Sequence, residues 1–171
     1  MIKICFVCTG NTCRSIMAER LMKKIVKEYK LSDLKIISRG LNANGEMITE
    51  NAKQVLKKYH ALASNRKSIK LGKIDKETLY VTMTENQKKQ ILSSNKVISY
   101  KSLIGKDVMD PFGQSIEVYL KTADELIENL EDANSDASLE MKIYDLDGKE
   151  LKDLDSKITT NMKIKIKNGQ E

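Results

Sequence analysis

The stretch "IKICFVCTGNTCRSIMAERL", residues 2–21, decides the fold because it joins a strand pattern to a helix pattern through a short turn. Residues 2–7 form a nearly continuous apolar run with β-branched members, which is typical of a strand buried on both faces of a parallel sheet. From Ser15 to about Lys30, apolar residues recur at helical spacing. The intervening turn, "CTGNTCRS", is therefore expected at the carboxyl end of a strand, where parallel α/β sheets bind ligands.

The same alternation of strand and helix patterns continues along the chain to about residue 131. Helical spacing and an N-cap signal at Thr49 predict a second helix up to Tyr59. The further predicted strands cover 34–40, 79–83 and 96–100, and the further predicted helices cover 85–92 and 115–131. This order predicts an α/β fold, a four-stranded parallel sheet with helices on both faces.

The composition changes after residue 132. We predict one folded domain over 1–132, a small polar linker over 133–138, and a C-terminal extension over 139–171 that is β-rich or irregular and of unknown role. Alternating apolar and polar residues around Asp147-Gly148 indicate a hairpin in this extension.

Composition and charge exclude several classes of function. The three cysteines all lie within the first 13 residues, which is unlike a secreted disulfide framework and favours a cytoplasmic setting. One histidine and no Cys/His cluster argue against a metal site. The net charge of +6 favours anionic substrates. The sequence lacks a basic run interleaved with aromatic residues, so we do not expect binding to nucleic acid. None of the apolar runs in the sequence is long enough to predict a membrane span. We expect the protein to be a monomer.

The residue types between Cys8 and Ser15 suit the binding of an anion. Gly10 allows successive backbone amides to turn toward one point, and the helix that follows adds the positive end of its dipole. Arg14 offers a planar donor pair that matches two phosphate oxygens. The same field favours the thiolate of Cys8, which makes a phosphocysteine intermediate possible.

Two motifs carry a resemblance to a known family. "VCTGNTCRSIMAE" and the distant "VMDPFGQS" resemble the signatures of the low-molecular-weight protein tyrosine phosphatases. The likeness covers residues 1 to about 132, including "ISRG" after the second predicted strand, and nothing beyond the linker. It implies a flavodoxin-like three-layer sandwich, and a protein phosphatase that needs no cofactor and acts on phosphorylated proteins.

The resemblance also implies roles for individual residues. Cys8 matches the nucleophile, Arg14 the clamp on the phosphate oxygens, and Asp110 the general acid and base. Ser15 matches the hydroxyl that hydrogen-bonds the thiolate, and Asn11 the side chain that holds the loop in shape. Loop residues that would bind phosphate or support the loop also include Thr9, Gly10, Thr12 and Cys13.

Two features of the loop bear on its regulation and rigidity. Cys13 matches a second loop cysteine able to form a reversible disulfide with Cys8, which would protect the nucleophile from over-oxidation. Ile16 stands where the family usually has proline, which would preset the first helical turn. We expect some loss of rigidity there but retained activity.

Several substrates remain open within this family. The loop "CTGNTCRS" with "DPFG" is similar to the bacterial protein-arginine phosphatase branch, whereas tyrosine phosphatases tend to have a bulky aliphatic residue at the position of Thr12. We expect Thr12, Leu41 and Phe112 to set specificity, and we favour phosphoarginine over phosphotyrosine. Arsenate reduction would need downstream cysteines that the chain lacks, and an inactive phosphate-binding or phosphopeptide-binding module would have no use for Asp110.

Overall fold

The fold was determined from a computed structural model, which describes residues 2–30, 33–61, 65–91, 96–127, 140–144 and 163–167. The elements follow one another as β1 (Ile2–Cys8), α1 (Arg14–Glu28), β2 (Leu34–Gly40), α2 (Glu50–Lys58), β3 (Thr78–Thr82), α3 (Glu85–Lys89), β4 (Val97–Ser99), α4 (Tyr100–Ile104), α5 (Ile116–Ile127), β5 (Glu140–Tyr144) and β6 (Lys163–Lys167).

Strands β1 to β4 form one parallel sheet in the order β2-β1-β3-β4. The chain therefore moves to one side of β1 to form β2 and to the other side to form β3 and β4. In the register of the sheet, Cys8 lies beside Gly40, and Val7 lies beside Thr82. The carboxyl ends of three strands consequently meet where the strand order reverses, which is where open α/β sheets form their ligand crevice.

The alternation of side chains along β1 divides the interior into two apolar layers. Ile4 and Phe6 join the larger layer, in which α1 packs on β1 and β2, and α2 and α5 pack on α1 and on each other. Cys5 and Val7 join a smaller layer on the opposite face, together with Ile91, which follows α3. The predicted α/β sandwich with a four-stranded parallel sheet is confirmed.

One helix differs from the prediction. Residues 96–100 were expected to form a strand, but β4 ends at Ser99 and α4 begins at Tyr100. The Ser99 hydroxyl caps α4 by accepting a hydrogen bond from the Ser102 amide at 3.3 Å, and Gly105 ends it in the left-handed conformation with φ of 81°. Five residues are too few to show helical periodicity, so only these two caps signalled the helix.

The predicted helix boundaries fall within a few residues of the observed ones. Helix α1 begins at Arg14 rather than Ser15, and the Thr49 side chain caps α2 as expected. The helix expected over 85–92 ends earlier, at Lys89. The end expected at Glu131 and the linker 133–138 lie outside the described residues. Within the described ranges, every helix is too short or too polar to cross a lipid bilayer.

The C-terminal extension contributes β5 and β6, which pair as an antiparallel two-stranded sheet from Glu140 opposite Lys167 to Tyr144 opposite Lys163. The predicted turn at Asp147-Gly148 lies outside the described residues. The proposed division of the chain at residues 132 and 138 stays a prediction.

Candidate active site

The loop between β1 and α1 wraps around the Cys8 sulfur. Asn11 adopts the left-handed conformation with φ of 56°, which asparagine tolerates better than most side chains. This turn directs the Asn11 amide to the sulfur, to which it donates at 3.2 Å. The backbone therefore turns an amide toward the thiol, but the left-handed residue of the turn is Asn11 and not Gly10, where the sequence predicted it.

The Asn11 side chain is fully buried and uses its whole hydrogen-bonding capacity. Its Nδ2 donates to Ser15 Oγ at 2.8 Å and to Ser38 Oγ at 2.9 Å. Its Oδ1 accepts from the Ile69 amide at 3.0 Å and from Arg66 Nη2 at 3.1 Å. The left-handed turn is thus held by four bonds from three other segments.

Behind Asn11 lies a buried ionic cluster formed by Glu19, Lys23, Ser38 and Arg66. Glu19 is only 1% exposed, and its carboxylate accepts hydrogen bonds from Lys23 at 2.6 Å, from Ser38 at 2.6 Å, and from Arg66. Burial raises the pKa of Glu19, but the hydrogen bonds from Lys23 and Ser38 and the charge of Arg66 outweigh it, so the net pKa is lowered. The carboxylate is therefore kept ionised beneath the loop.

This cluster was missed by reasoning from sequence. Ser38 belongs to the "ISRG" stretch that contributed to the resemblance, but Glu19 and Arg66 lie 47 residues apart along the chain. Glu19 follows the helical pattern of α1 and carried no signal of its own. Only the fold brings these charges together under Asn11.

The sulfur of Cys8 also contacts Ser15, whose Oγ lies 3.0 Å away. Because Asn11 donates to the same Ser15 oxygen, the Ser15 hydroxyl proton can point at the sulfur, which is nearer to it than its other acceptor, the Arg39 carbonyl at 3.4 Å. Cys8 and Ser15 are both buried, at 3% and 0% exposure. The first-turn amides of α1 begin at Arg14, one residue before Ser15, and add the positive end of the helix dipole.

Arg14 joins the loop to the segment that carries Asp110. Its Nη2 donates to Asp110 Oδ2 at 2.5 Å, and its Nη1 donates to the Val108 carbonyl at 3.2 Å. The Asp110 carboxylate also accepts from the Phe112 amide at 3.2 Å. Two motifs that are 96 residues apart in sequence are therefore in direct contact.

These groups surround a cavity of about 380 Å³. Its lining residues come from the loop, the segment after β2, the start of α2 and the segment before α5: Cys8, Thr9, Gly10, Thr12, Cys13, Arg14, Asn42, Glu46, Met47, Thr49, Asp110 and Phe112. Arg14 is buried, whereas Phe112 is 65% exposed. Asn11, which belongs to the loop, and Ser15 do not line the cavity, and the hydrogen bond between their side chains supports the loop.

The structure does not bring Leu41 into the cavity. Leu41 is half-buried and packs against the smaller apolar layer with Cys5 and Val7. Leu41 follows the end of β2 at Gly40 and packs on the same apolar layer as Ile37, whereas the next residue, Asn42, lines the cavity. Asn42 and Glu46 take the place expected for Leu41, and neither was predicted.

The segment after β2 is fastened to the loop along its backbone. The Leu41 amide donates to the Cys8 carbonyl and the Asn42 amide to the Thr9 carbonyl, both at 2.9 Å. Gly40 makes this approach possible, because a Cβ there would lie 2.8 Å from the Thr9 carbonyl oxygen and 2.9 Å from the Asn11 nitrogen. On the other side of the loop, Gln87 donates to the Thr9 hydroxyl at 3.1 Å.

The three cysteines are all free thiols in different surroundings. Cys13 lines the cavity, and its sulfur lies 3.2 Å from the Tyr119 hydroxyl and 3.4 Å from the Thr49 hydroxyl. Burial and the hydrogen bond with Cys13 raise the pKa of Tyr119 to about 12. Burial raises the pKa of Cys5 to about 12, which suits the core position expected for it. Among the residues placed by the structure, no group of three or more His, Cys, Asp or Glu is arranged to hold a metal ion.

Comparison with known proteins agrees with this geometry. The family model described as "Low molecular weight phosphotyrosine protein phosphatase" matches residues 3–145. The chain belongs to this family. It is therefore a low-molecular-weight protein phosphatase, as the two motifs predicted.

The relatives of this chain include proteins named as arginine phosphatases and proteins named as tyrosine phosphatases. The chain is 38% identical over 138 residues to the protein-arginine-phosphatase of Bacillus subtilis, a match that covers 74% of this chain and 91% of that protein. It is 34% identical over 134 residues to the low-molecular-weight protein-tyrosine-phosphatase PtpB of Staphylococcus haemolyticus, covering 74% and 93%. A solved structure of the YwlE arginine phosphatase, a mutant with a phosphorylated active-site serine, is 37% identical with a TM-score of 0.66, covering 74% of this chain and 90% of the other.

Proposed function

We propose that this protein is a protein-arginine phosphatase that works through a phosphocysteine on Cys8. The observation that supports the mechanism is the convergence of Cys8, Arg14 and Asp110 on one cavity. The observation that supports the substrate is Thr12, which lines that cavity with a polar side chain. The protein-arginine-phosphatase of Bacillus subtilis, among the relatives, supports the same choice.

In the first step, the Cys8 thiolate attacks the phosphorus atom of the phosphoarginine side chain. The Ser15 hydroxyl and the Asn11 amide, which contact the sulfur at 3.0 and 3.2 Å, stabilise its negative charge before the attack. The phosphorus–nitrogen bond breaks, and the carboxyl proton of Asp110 moves to the departing nitrogen. The products of this step are arginine and a phosphorylated Cys8.

Charge on the transferred phosphoryl group is stabilised by groups that are already in place. The Arg14 guanidinium and the loop amides bind the equatorial oxygens, where charge spreads in the transition state. Because the Asn11 network and the Glu19–Arg66 cluster hold the loop, little reorganisation accompanies the reaction. In the second step Asp110 removes a proton from water, which attacks phosphorus and releases phosphate and the Cys8 thiolate.

Phosphotyrosine is the second candidate substrate. Phe112, which is 65% exposed at the cavity, offers a face that could stack on a phenol as well as on a guanidinium. PtpB among the relatives is named as a tyrosine phosphatase. The cytoplasmic location, the monomeric state and a regulatory Cys8–Cys13 disulfide stay predictions.

Matched peptides decide between the two substrates. The two peptides share one sequence and carry either phosphoarginine or phosphotyrosine, and kcat/KM is measured for both with the wild type and with Cys8→Ser. We expect a higher kcat/KM for phosphoarginine and no turnover of either peptide by Cys8→Ser. A higher value for phosphotyrosine would overturn the substrate assignment, and undiminished turnover by Cys8→Ser would overturn the mechanism.

A further inference from the structure

The charges around the cavity are separated by depth. Among the described lining residues, Arg14 is the one cation, and it lies buried at 6% exposure. The two lining carboxylates, Asp110 and Glu46, belong to exposed residues. The base of the cavity is therefore positive and its rim is negative.

The backbone holds Glu46 at this rim. Its carbonyl accepts a hydrogen bond from the Ser68 amide at 2.7 Å, and the preceding amide, that of Gly45, donates to the Ser68 hydroxyl at 3.1 Å. Met47, the next residue, forms a β-bridge with Lys67. Within the described part of the chain, the Glu46 carboxylate forms no ion pair or side-chain hydrogen bond, so its charge is available to a ligand.

Phosphoarginine has the matching polarity. Its phosphoryl group is anionic, while the strongly basic guanidino group beyond it is a cation at neutral pH. A planar guanidinium binds carboxylates through paired hydrogen bonds. Phosphotyrosine carries the same anionic end but no cation, so a negative rim would do nothing for it.

Asp110 alone does not satisfy this cation. One of its oxygens is already engaged by Arg14 at 2.5 Å, and in the first step it must carry the proton that it delivers. A protonated carboxyl has no charge with which to balance a guanidinium. Until Asp110 has delivered its proton and become a carboxylate itself, the charge that balances the guanidino cation of the bound substrate has to come from a second carboxylate.

We propose that Glu46 is that second carboxylate, a specificity residue that binds the substrate guanidinium and favours phosphoarginine over phosphotyrosine. This inference rests on the proposed function and names a residue for it. Phe112 and Met47, which are 65% and 43% exposed on the same cavity, complete an apolar and aromatic edge on which the planar cation stacks.

The test compares Glu46→Gln and Glu46→Lys with the wild type on the matched phosphoarginine and phosphotyrosine peptides. We expect Glu46→Gln to lower kcat/KM for phosphoarginine about three- to fivefold at low ionic strength, in the range of an exposed ion pair, and to leave phosphotyrosine unchanged. Glu46→Lys should lower it further, and added salt should shrink both differences because it screens exposed charges. Glu50→Gln, an exposed change on α2 outside the cavity, is the matched control.

The outcomes separate this inference from the proposed function. If the wild type prefers phosphoarginine and Glu46→Gln keeps the full preference, or loses activity equally on both peptides, Glu46 does not bind the guanidinium, although the protein is still an arginine phosphatase. If the wild type prefers phosphotyrosine, the proposed function fails and the role of Glu46 fails with it.

Discussion

The Arg14 Nη2 atom lies 2.5 Å from the Asp110 Oδ2 atom, so the cation at the base of the cavity is joined directly to the carboxylate at its rim. The Arg14 side chain is 7% exposed and that of Asp110 is 55% exposed. A bound phosphoryl group would meet the same guanidinium, which places its leaving atom next to the Asp110 carboxyl. This contact therefore couples phosphate binding to the position of the proposed proton donor.

Removing the proton donor tests that coupling. Asp110→Asn should lower kcat about 10²-fold on a phosphopeptide, since the departing atom then leaves without a proton. The loss should be much smaller on para-nitrophenyl phosphate, whose leaving group needs less protonation. Steady-state kinetics on both substrates check this, and an equal loss on both would show that Asp110 serves only to position Arg14.

A substitution of Gly40 tests whether the close approach of β2 to the loop matters for catalysis. In Gly40→Ala the new Cβ would lie 2.8 Å from the Thr9 carbonyl oxygen, so the loop must shift. A displacement of this kind should lower kcat/KM about 10²-fold. Gly72→Ala is the control, because nothing lies within 4 Å of a Cβ at that position. Similar activity of the two variants would contradict the account.

The lowered pKa of Glu19 predicts that the stability of the protein depends on pH. Its pKa in the folded protein lies below the ordinary glutamate value of 4.5, because the hydrogen bonds and the charge of Arg66 outweigh burial. A lowered pKa stabilises the fold above pH 4.5, and this contribution is lost as the pH falls through the folded-state pKa. The free energy of unfolding of the wild type should therefore exceed that of Glu19→Gln at neutral pH, and the gap should shrink in acid. Urea titrations from pH 7 to about pH 3 measure it, and a gap that is constant with pH would refute the prediction.

Thr12 tests the choice of substrate independently of Glu46. Thr12→Val keeps the shape of the side chain and removes its hydroxyl, which should lower the ratio of kcat/KM for phosphoarginine to that for phosphotyrosine about tenfold, the equivalent of one hydrogen bond. Thr12→Ile should lower the ratio further because it also fills space in the cavity. Thr12→Ser keeps the hydroxyl and is the control. An unchanged ratio in Thr12→Val would remove Thr12 as a ground for the assignment.

Local patterns were enough to predict most of the fold and the chemical centre of the site. The strand run before Cys8, the helical spacing after Ser15 and the two motifs placed Cys8, Arg14 and Asp110, because each signal lies within a few neighbouring residues. Helix α4 was missed because five residues show no period, and its caps at Ser99 and Gly105 are weak signals alone.

The rest of the site depends on contacts between distant segments. Arg66 reaches Asn11 and Glu19 across 55 and 47 residues, and no sequence spacing encodes that meeting. Leu41 was expected at the cavity, but Asn42 lines it instead, because the side-chain directions in the turn after β2 follow from the folded chain and not from the motif. Glu46 enters the cavity through its backbone bond to Ser68, which also arises only in the folded chain.

The most direct test of the central claim is mass spectrometry of the enzyme quenched in acid during turnover of para-nitrophenyl phosphate. We expect one phosphoryl group on the wild-type peptide that contains Cys8, and no phosphoryl group at this position in Cys8→Ser. The amount of phosphorylated peptide should be larger in Asp110→Asn if this change slows the second step more than the first. Sustained turnover with the phosphoryl group on another residue, or undiminished turnover in Cys8→Ser, would contradict the central claim.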